Sequence, residues 1–168
     1  VSKISWYEAA DYCHLIGKAL PSEAQWERAA GSGKGCQFPW GEGFDLMNPP
    51  ARGGLKLNDK ASPVGSFPPN QNGLYDMAGN VSEWVFDWMP ISENYYLMSP
   101  EKNPRGSRSE LNACSGVNCV GSFSITQKVN RGGSWNKKAL EMRSSNRMNS
   151  HFQLQSDGTG FRCAANID

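Results

Sequence analysis

The side chains of this sequence that could bind a metal or carry out redox chemistry are its cysteines and histidines. They are Cys13, Cys36, Cys114, Cys119, Cys163, His14 and His151. No cysteines form a CxxC pair, and these histidines are too few to complete a structural zinc site. Cys114 and Cys119 could close a small disulfide in a loop. Cys13 lies on an apolar helical face and Cys163 in an apolar strand, so both are expected to be buried free thiols.

Length and charge exclude several classes of protein. The 168 residues suffice for one domain with a hydrophobic core. The formal charge of +1 provides no field that would attract phosphates, so nucleic acid is not an expected partner. The sequence contains no apolar run long enough to cross a membrane directly. The many glycines and prolines, 18 and 10, indicate a loop-rich domain.

Two helices are predicted near the N-terminus, and each begins at a capping box. The first covers residues 5–17, where Ser5 and Glu8 have the required spacing. The second follows directly, with Ser22 as the cap and Gln25 at the third helical position. A glycine ends each helix.

Strands are predicted later in the chain, between many turn residues. They cover residues 62–67, 81–88, 128–135 and 160–164. In the second of these, Trp84, Phe86 and Trp88 alternate with other residues, a pattern that predicts one buried aromatic face. Residues 89–120 form a long insertion, and residues 136–159 are expected to be irregular.

Four phrases occur together in this order: SWYEAADYCHLIGKALPSEAQWERAA, FPWG, NGLYDMAGNVSEW, and RGGSW followed by GFRCA. Together they resemble the formylglycine-generating enzyme family, also called the sulfatase-modifying-factor domain. The resemblance implies an α+β fold of the C-type-lectin-like, formylglycine-generating-enzyme subtype, with two N-terminal helices on short mixed sheets. It covers a single domain, residues 1–168, apart from the insertion. Such domains carry further strands before the first helix, so an N-terminal part is expected to be missing or upstream.

The sequence departs from the family at the residues that carry its chemistry. The family's enzymes oxidise a substrate cysteine with two cysteines that hold copper, a few residues after the GGS turn. Here those positions are Lys137 and Met142; an ammonium cannot replace a thiolate ligand, and a thioether is a weak substitute. Another branch uses iron on a histidine cluster, which this chain cannot build. We therefore expect a protein that is not an enzyme, the alternative being a copper- or iron-dependent oxidase with relocated residues.

A non-catalytic branch of the family offers a different role for the segment at residues 131–163. In the variable proteins of diversity-generating retroelements, a C-terminal region is rewritten at template adenines and diversifies a ligand-binding face. This segment resembles that region, with RGGSW, RSSNR and GFR as its fixed frame. Gly132 and Gly133 permit positive φ or close packing, and Arg143 and Arg147 are suited to clamping carbonyls or carboxylates.

The resemblance implies a binding face whose members mix polar, charged and apolar side chains. They are Asn136, Lys137, Lys138, Leu140, Glu141, Met148, Ser150, His151, Phe152, Gln153, Leu154 and Asp157. Met148, His151, Phe152 and Leu154 are the expected contact anchors. Adenine rewriting of an AAY codon can yield Asn, Ser, Thr, Asp, Gly, His, Leu or Phe, and Gly158 also fits this set. It cannot yield Lys, Glu, Gln or Met, so which individual positions vary stays open.

Other interpretations of the same residues remain. The stretch HFQLQ also has the alternation of an ordinary half-buried strand. Asn80 and Glu83 lie where the family often binds calcium, although a buried hydrogen-bonding role suits Glu83 as well. A static, calcium-stabilised interaction domain is therefore a further alternative, but no cofactor is required. The resemblance alone implies a protein ligand on another cell or host and export to the bacterial cell surface as a lipoprotein.

Overall fold

The computed structural model describes residues 1–31, 36–42, 60–89, 104 and 127–165. Its elements are α1 (Trp6–Leu15), α2 (Glu23–Ala30), β1 (Ser82–Trp88), β2 (Gln127–Arg131), a 3-10 helix (Ala139–Met142), β3 (Arg147–His151) and β4 (Thr159–Phe161). The strands form one sheet in the order β3-β2-β1-β4. Strand β1 runs parallel to β4 and antiparallel to β2, which is antiparallel to β3. The α+β class, the two helices and the mixed sheet expected from the sequence are confirmed.

Both helices begin at the predicted capping boxes. The backbone N–H of Ser5 donates to the Glu8 carboxylate at 2.8 Å, and that of Ser22 donates to the Gln25 amide oxygen at 2.8 Å. Each serine hydroxyl accepts the return bond from the backbone of its partner. The hydrogen bonds from Ser5 hold the pKa of the Glu8 carboxyl below its ordinary value. Gly31 ends α2 in the left-handed conformation, at φ 114°.

The two helices cover opposite faces of the sheet. Trp6 and Cys13 of α1 pack in one cluster with Trp84, whereas Trp26 of α2 packs in a second cluster with Val85. Adjacent residues of a strand point to opposite faces, so β1 lies between the helices and is buried on both sides. The predicted aromatic face does pack against α1, but the opposite face is buried as well, and Phe86 is 39% exposed.

A buried lysine adds to the packing on the α1 side of the sheet. The Lys128 ammonium lies 3.7 Å from the centroid of the Trp6 ring and 3.8 Å from that of the Trp88 ring. It also donates to the Phe86 carbonyl at 2.7 Å. The aromatic rings and this carbonyl together stabilise a cation that has almost no contact with solvent.

A network of charges joins α2 to β2 and β3. Arg131, which is fully buried, forms ion pairs with Glu23 and Glu27 of α2. Its guanidinium also donates to the carbonyls of residues 144, 145 and 146. Both oxygens of Glu23 accept from Arg147, as the sequence predicted for a carboxylate clamp. The Glu23 backbone N–H donates in turn to the buried Asp87 at 2.7 Å.

A disulfide joins Cys13 of α1 to Cys163, which follows β4. The prediction that these two residues are free thiols was wrong. Their separation of 150 residues explains the error, because no local spacing signals such a pair. The predicted bond between Cys114 and Cys119 lies outside the described residues, as does most of the insertion at 89–120.

Three strand assignments from the sequence also differ from the structure. The strand predicted at 128–135 ends at Arg131, because the positive φ of Gly132 and Gly133 turns the backbone there. Residues 62–67 form turns and irregular backbone, in which both the N–H and the hydroxyl of Ser66 donate to the Pro63 carbonyl. Residues 136–159 were expected to be irregular, but they contain β3. That strand ends at His151, and the backbone turns there because the Leu154 N–H donates to the His151 carbonyl at 2.8 Å. The alternative of a half-buried strand at HFQLQ was therefore wrong.

Within the described part of the chain, no helix is long and apolar enough to cross a membrane.

The charge network predicts a large effect of Glu23→Gln on stability. This substitution leaves Arg131 and Arg147 without the carboxylate that they share. We expect the free energy of unfolding, measured by urea denaturation, to fall by about 3–5 kcal/mol. Asp157→Asn is a matched control, because Asp157 forms an exposed pair with Lys3, and it should leave stability nearly unchanged. Equal losses in the two variants would contradict the role of the network.

The disulfide predicts a second effect on stability. The double variant Cys13→Ala/Cys163→Ala frees the unfolded chain from a long covalent loop. We expect its free energy of unfolding to fall by about 2–5 kcal/mol, measured by guanidinium denaturation. Cys36→Ala, at the free cysteine of the described chain, is the control and should change stability much less. An unaltered denaturation midpoint in the double variant would show that the bond does not stabilise the fold.

Candidate functional site

The RGGSW phrase forms a turn directly behind the candidate site. Gly132 and Gly133 have φ of 92° and 69°, as the sequence predicted. A Cβ on Gly132 would lie 3.1 Å from the Trp26 ring, and one on Gly133 would lie 3.0 Å from the Glu141 carbonyl. The turn is thus closed to side chains on both sides. It is also held by the segment that precedes β1, because the backbone N–H of Trp135 donates to the Asn80 carbonyl at 2.9 Å.

Beyond this turn, a cleft of about 460 Å³ opens on the same side of the sheet as α1. All four strands contribute to its floor, through Ser82, Asn130, Ser150 and Thr159. The Asn130 side-chain amide donates to the Ser150 hydroxyl at 2.9 Å, and Ser82 donates to the Gly158 carbonyl at 2.9 Å. The floor is therefore a layer of amide and hydroxyl groups whose positions are fixed by one another.

Two loops form the walls of the cleft. One follows the glycine turn and supplies Ser134, Asn136, Lys137 and Glu141, and the other supplies Leu154, Ser156 and Gly158. The walls meet where a Cβ on Gly158 would lie 3.2 Å from the Ser134 hydroxyl and 3.3 Å from the Asn136 side chain. A larger residue at this point would push the walls apart. Gly158 is also buried, so it belongs to the framework of the site although its residue type fits adenine rewriting.

The structure places the predicted binding residues in two groups. Those lining the cleft are Asn136, Lys137, Glu141, Met148, Ser150 and Leu154. Those outside it are Lys138, Leu140, His151, Phe152, Gln153 and Asp157. All of the second group except Phe152 are exposed, and Leu140 is exposed by 60%. The segment thus presents one concave surface and a separate set of exposed side chains around it.

Phe152, one of the expected contact anchors, packs against the protein core instead of facing solvent. Its ring packs edge-on against Tyr7 at 5.3 Å and Trp88 at 6.1 Å between centroids. It also lies against the core cluster of α1, and its carbonyl accepts from the Trp6 backbone N–H at 2.9 Å. His151 stacks on its outer side and remains exposed. A substitution at Phe152 would therefore disturb stability as well as any binding.

Asn80 and Glu83, the candidate calcium ligands, have hydrogen-bonding roles in this structure. Both oxygens of Glu83 accept from Arg162, at 2.6 and 2.7 Å, and one accepts from the Trp26 indole at 2.6 Å. Burial disfavours the charged form of Arg162, but its pairing with Glu83 outweighs this effect and raises the pKa of the guanidinium. The Asn80 side-chain oxygen accepts from the Ser62 N–H. This arrangement does not fit calcium unless Arg162 leaves the carboxylate, and calcium binding stays a prediction.

The two positions at which the family's enzymes carry copper-binding cysteines have separate environments. Lys137 is exposed at the cleft, whereas Met142 is fully buried in a cluster with Phe38 and Ala78. Copper bound by thiolates requires both ligands to face one accessible space. An ammonium and a sealed thioether do not fit that ion. In the described part of the chain, no group of three or more His, Cys, Asp or Glu side chains could hold a metal.

Apart from Ser150, the sequence analysis did not identify the floor of the cleft. Asn130, Ser82 and Thr159 lie in strands and are almost fully buried, at 2%, 4% and 5% exposure. Polar residues in buried strands are a signal, because such groups need partners. Asn130, in the strand KVNR, is the one that this signal could have found.

Comparisons with known proteins agree with this architecture. The serine/threonine-protein kinase pkn1 of Chlamydia pneumoniae is 35% identical over 168 residues, 98% of this chain and 24% of that protein. The formylglycine-generating enzyme of Streptomyces coelicolor is 33% identical over 191 residues, 100% of this chain and 53% of that protein. The chain thus spans about a quarter to a half of the length of these relatives.

Two further matches are shorter or more distant. The inactive C-alpha-formylglycine-generating enzyme 2 of Bos taurus is 44% identical over 95 residues, 51% of this chain and 32% of that protein. The Treponema denticola variable protein 1 shares the fold, with a TM-score of 0.76 at 23% identity over 96% of this chain and 69% of that one. The family model described as sulfatase-modifying factor enzyme 1-like domain matches residues 1–167, and the chain belongs to that family.

Proposed function

We propose that this chain is a non-enzymatic binding domain, and that the cleft and the exposed residues around it receive a ligand. The cleft carries the proposal, because six of the twelve residues implied by the resemblance line one concave surface. A floor held by its own hydrogen bonds does not need to be ordered on binding. This saves roughly 0.5–1.5 kcal/mol for each side chain that would otherwise be immobilised.

Two of the relatives support a role other than oxidation. One relative is named as inactive, and another is named as a protein kinase that the chain matches over only 24% of its length. A domain that recurs in proteins of such different names is suited to act as a recognition module within a longer chain. The replaced cysteine positions agree with this role, because they do not form a copper site.

We further infer that residues 131–163 are diversified, that the ligand is a protein, and that the domain acts outside the cytoplasm at the cell surface. The disulfide between Cys13 and Cys163 supports an oxidising compartment. Diversification is supported by the different burial of residues within this segment. Arg131, Gly132 and Gly133 are buried in the framework, whereas most of the residues implied for binding are exposed: Asn136, Lys137, Lys138, Leu140, His151, Gln153, Leu154 and Asp157.

A copper- or iron-dependent oxidase is the second candidate. The 33% identity of this chain to a formylglycine-generating enzyme favours that candidate. Such an enzyme would need sulfur or nitrogen ligands in new places, and Cys114 and Cys119 lie outside the described residues. Oxygen uptake with a cysteine-containing peptide after copper loading would favour this candidate over a binding domain.

Diversification predicts a particular arrangement of the neighbouring DNA. We expect a near-copy of the coding sequence for residues 131–163 that differs mainly at adenines, beside a gene for a reverse transcriptase. Sequencing the DNA on both sides of the gene is the measurement. If the locus lacks such a copy, residues 131–163 are not diversified, and the protein is a static binding domain.

Binding at the cleft predicts a difference between two matched double variants. We expect heptapeptides selected from a phage-displayed library on the wild-type protein to lose at least tenfold in affinity on Lys137→Ala/Leu154→Ala. Leu15→Ala/Lys18→Ala removes the same two residue types from an exposed surface at and just after the end of α1 and should bind as the wild type does. Affinities are measured by calorimetry, and all three proteins should melt at similar temperatures.

Equal affinity of the two double variants would show that the ligands bind elsewhere. A large drop in melting temperature for the cleft variant alone would show that Lys137 and Leu154 support the fold instead.

A further inference from the structure

The charged residues of the cleft indicate which ligands it selects. Lys137, Glu141 and Arg147 are its charged lining residues. The Arg147 guanidinium is held by both oxygens of Glu23, and the Glu141 carboxylate accepts from the Lys138 backbone N–H at 2.6 Å. Lys137 is exposed, and its ammonium has no ion pair with any residue that the structure describes. Its charge is thus available to a ligand.

The floor beside Lys137 offers both hydrogen-bond donors and acceptors. Asn130 uses its amide nitrogen on Ser150, which leaves its carbonyl oxygen as an acceptor and the Ser150 hydroxyl hydrogen as a donor. A peptide group carries one N–H and one C=O, so it matches such a pair. A carboxylate followed by peptide groups would satisfy Lys137 and the floor together.

The edge of the sheet favours an extended peptide over a sugar acid. Strand β3 is the edge strand of the described sheet, and Arg147, Met148, Asn149 and Ser150 all line the cleft. Consecutive residues of a strand point to opposite faces, so a cleft that touches four in a row reaches the edge, where backbone N–H and C=O groups lie. An added peptide strand can pair with these groups.

We propose that the cleft binds an acidic peptide in an extended conformation, with a carboxylate of the peptide on Lys137 and its backbone along β3. The proposal rests on the proposed binding function and adds the class of ligand and the residue that selects it. Lys137 is a specificity-determining residue in this arrangement. It occupies one of the two positions where the family's enzymes carry a catalytic cysteine.

The experiment is a selection followed by a double-mutant cycle. A phage-displayed library of random heptapeptides is selected at low salt on the wild type, on Lys137→Gln and on Lys18→Gln, and the retained pools are sequenced. We expect Asp and Glu to be enriched on the wild type and on Lys18→Gln, but not on Lys137→Gln. Lys137→Glu should instead enrich Lys and Arg. Because Lys137 is exposed, all variants should melt as the wild type does.

The best acidic peptide is then compared with its Asp→Asn or Glu→Gln version. On the wild type this change should weaken binding about two- to fivefold at low salt, as expected for an exposed charge pair. On Lys137→Gln it should have little effect, because the partner charge is absent. A peptide N-methylated at alternate residues should lose binding in one of its two registers, because N-methylation removes the N–H that pairs with β3.

Other outcomes overturn the proposal in distinguishable ways. If the carboxylate effect persists on Lys137→Gln, or if the retained peptides are neutral, the ligand class is wrong but the binding function stands. If acidic oligosaccharides bind through Lys137 and peptides do not, the cleft recognises sugar acids. If no peptide distinguishes the wild type from Lys137→Ala/Leu154→Ala, the proposed binding function itself fails.

Discussion

The buried guanidinium of Arg131 is the constraint on which much of this structure depends. A charge with no exposure to solvent is tolerated only where acids and carbonyls surround it. Glu23 and Glu27 supply the acids, and residues 144–146 supply the carbonyls. The same side chain therefore fixes the distance of α2 from the sheet and the course of the loop that leads into β3. Because Glu23 also holds Arg147, a single carboxylate serves two strands.

This arrangement separates the residues that support the fold from those that line the cleft. The charge network and Trp26 lie on the α2 side of the sheet, whereas the floor of the cleft faces the α1 side. Exposed side chains at the cleft can therefore differ without altering the contacts that hold its backbone. Arg147 and Phe152 are exceptions, because Arg147 belongs to the charge network and Phe152 packs into the core from within the same segment. Such a framework allows substitution at most of the exposed positions but not at these two.

Local features of the fold could be predicted from the sequence, and long-range features could not. The capping boxes at Ser5 and Ser22 lie within three residues of their partners, so the sequence contains all of the information that they need. The glycines of the RGGSW turn were predicted for a similar reason, because positive φ is a property of the residue itself. The bond between Cys13 and Cys163, by contrast, depends on the docking of α1 beside β4. Strand β3 is similar, since its polar sequence becomes a strand only by pairing with β2.

The candidate site was predicted as a segment but not as a surface. The resemblance identified the residues after the glycine turn, yet the polar floor from β1, β2 and β4 depends on the topology of the sheet. The topology also explains why Lys137 and Met142 have different environments. The 3-10 helix between Ala139 and Met142 turns Met142 into the core against Phe38, while Lys137 remains in front of the helix at the open cleft. Because this chain has no pair of thiolates at these two positions, the two side chains do not need to face the same space. The packing of Met142 therefore does not restrict Lys137. Met142 adds to the core, and Lys137 contributes a charge to the surface of the cleft.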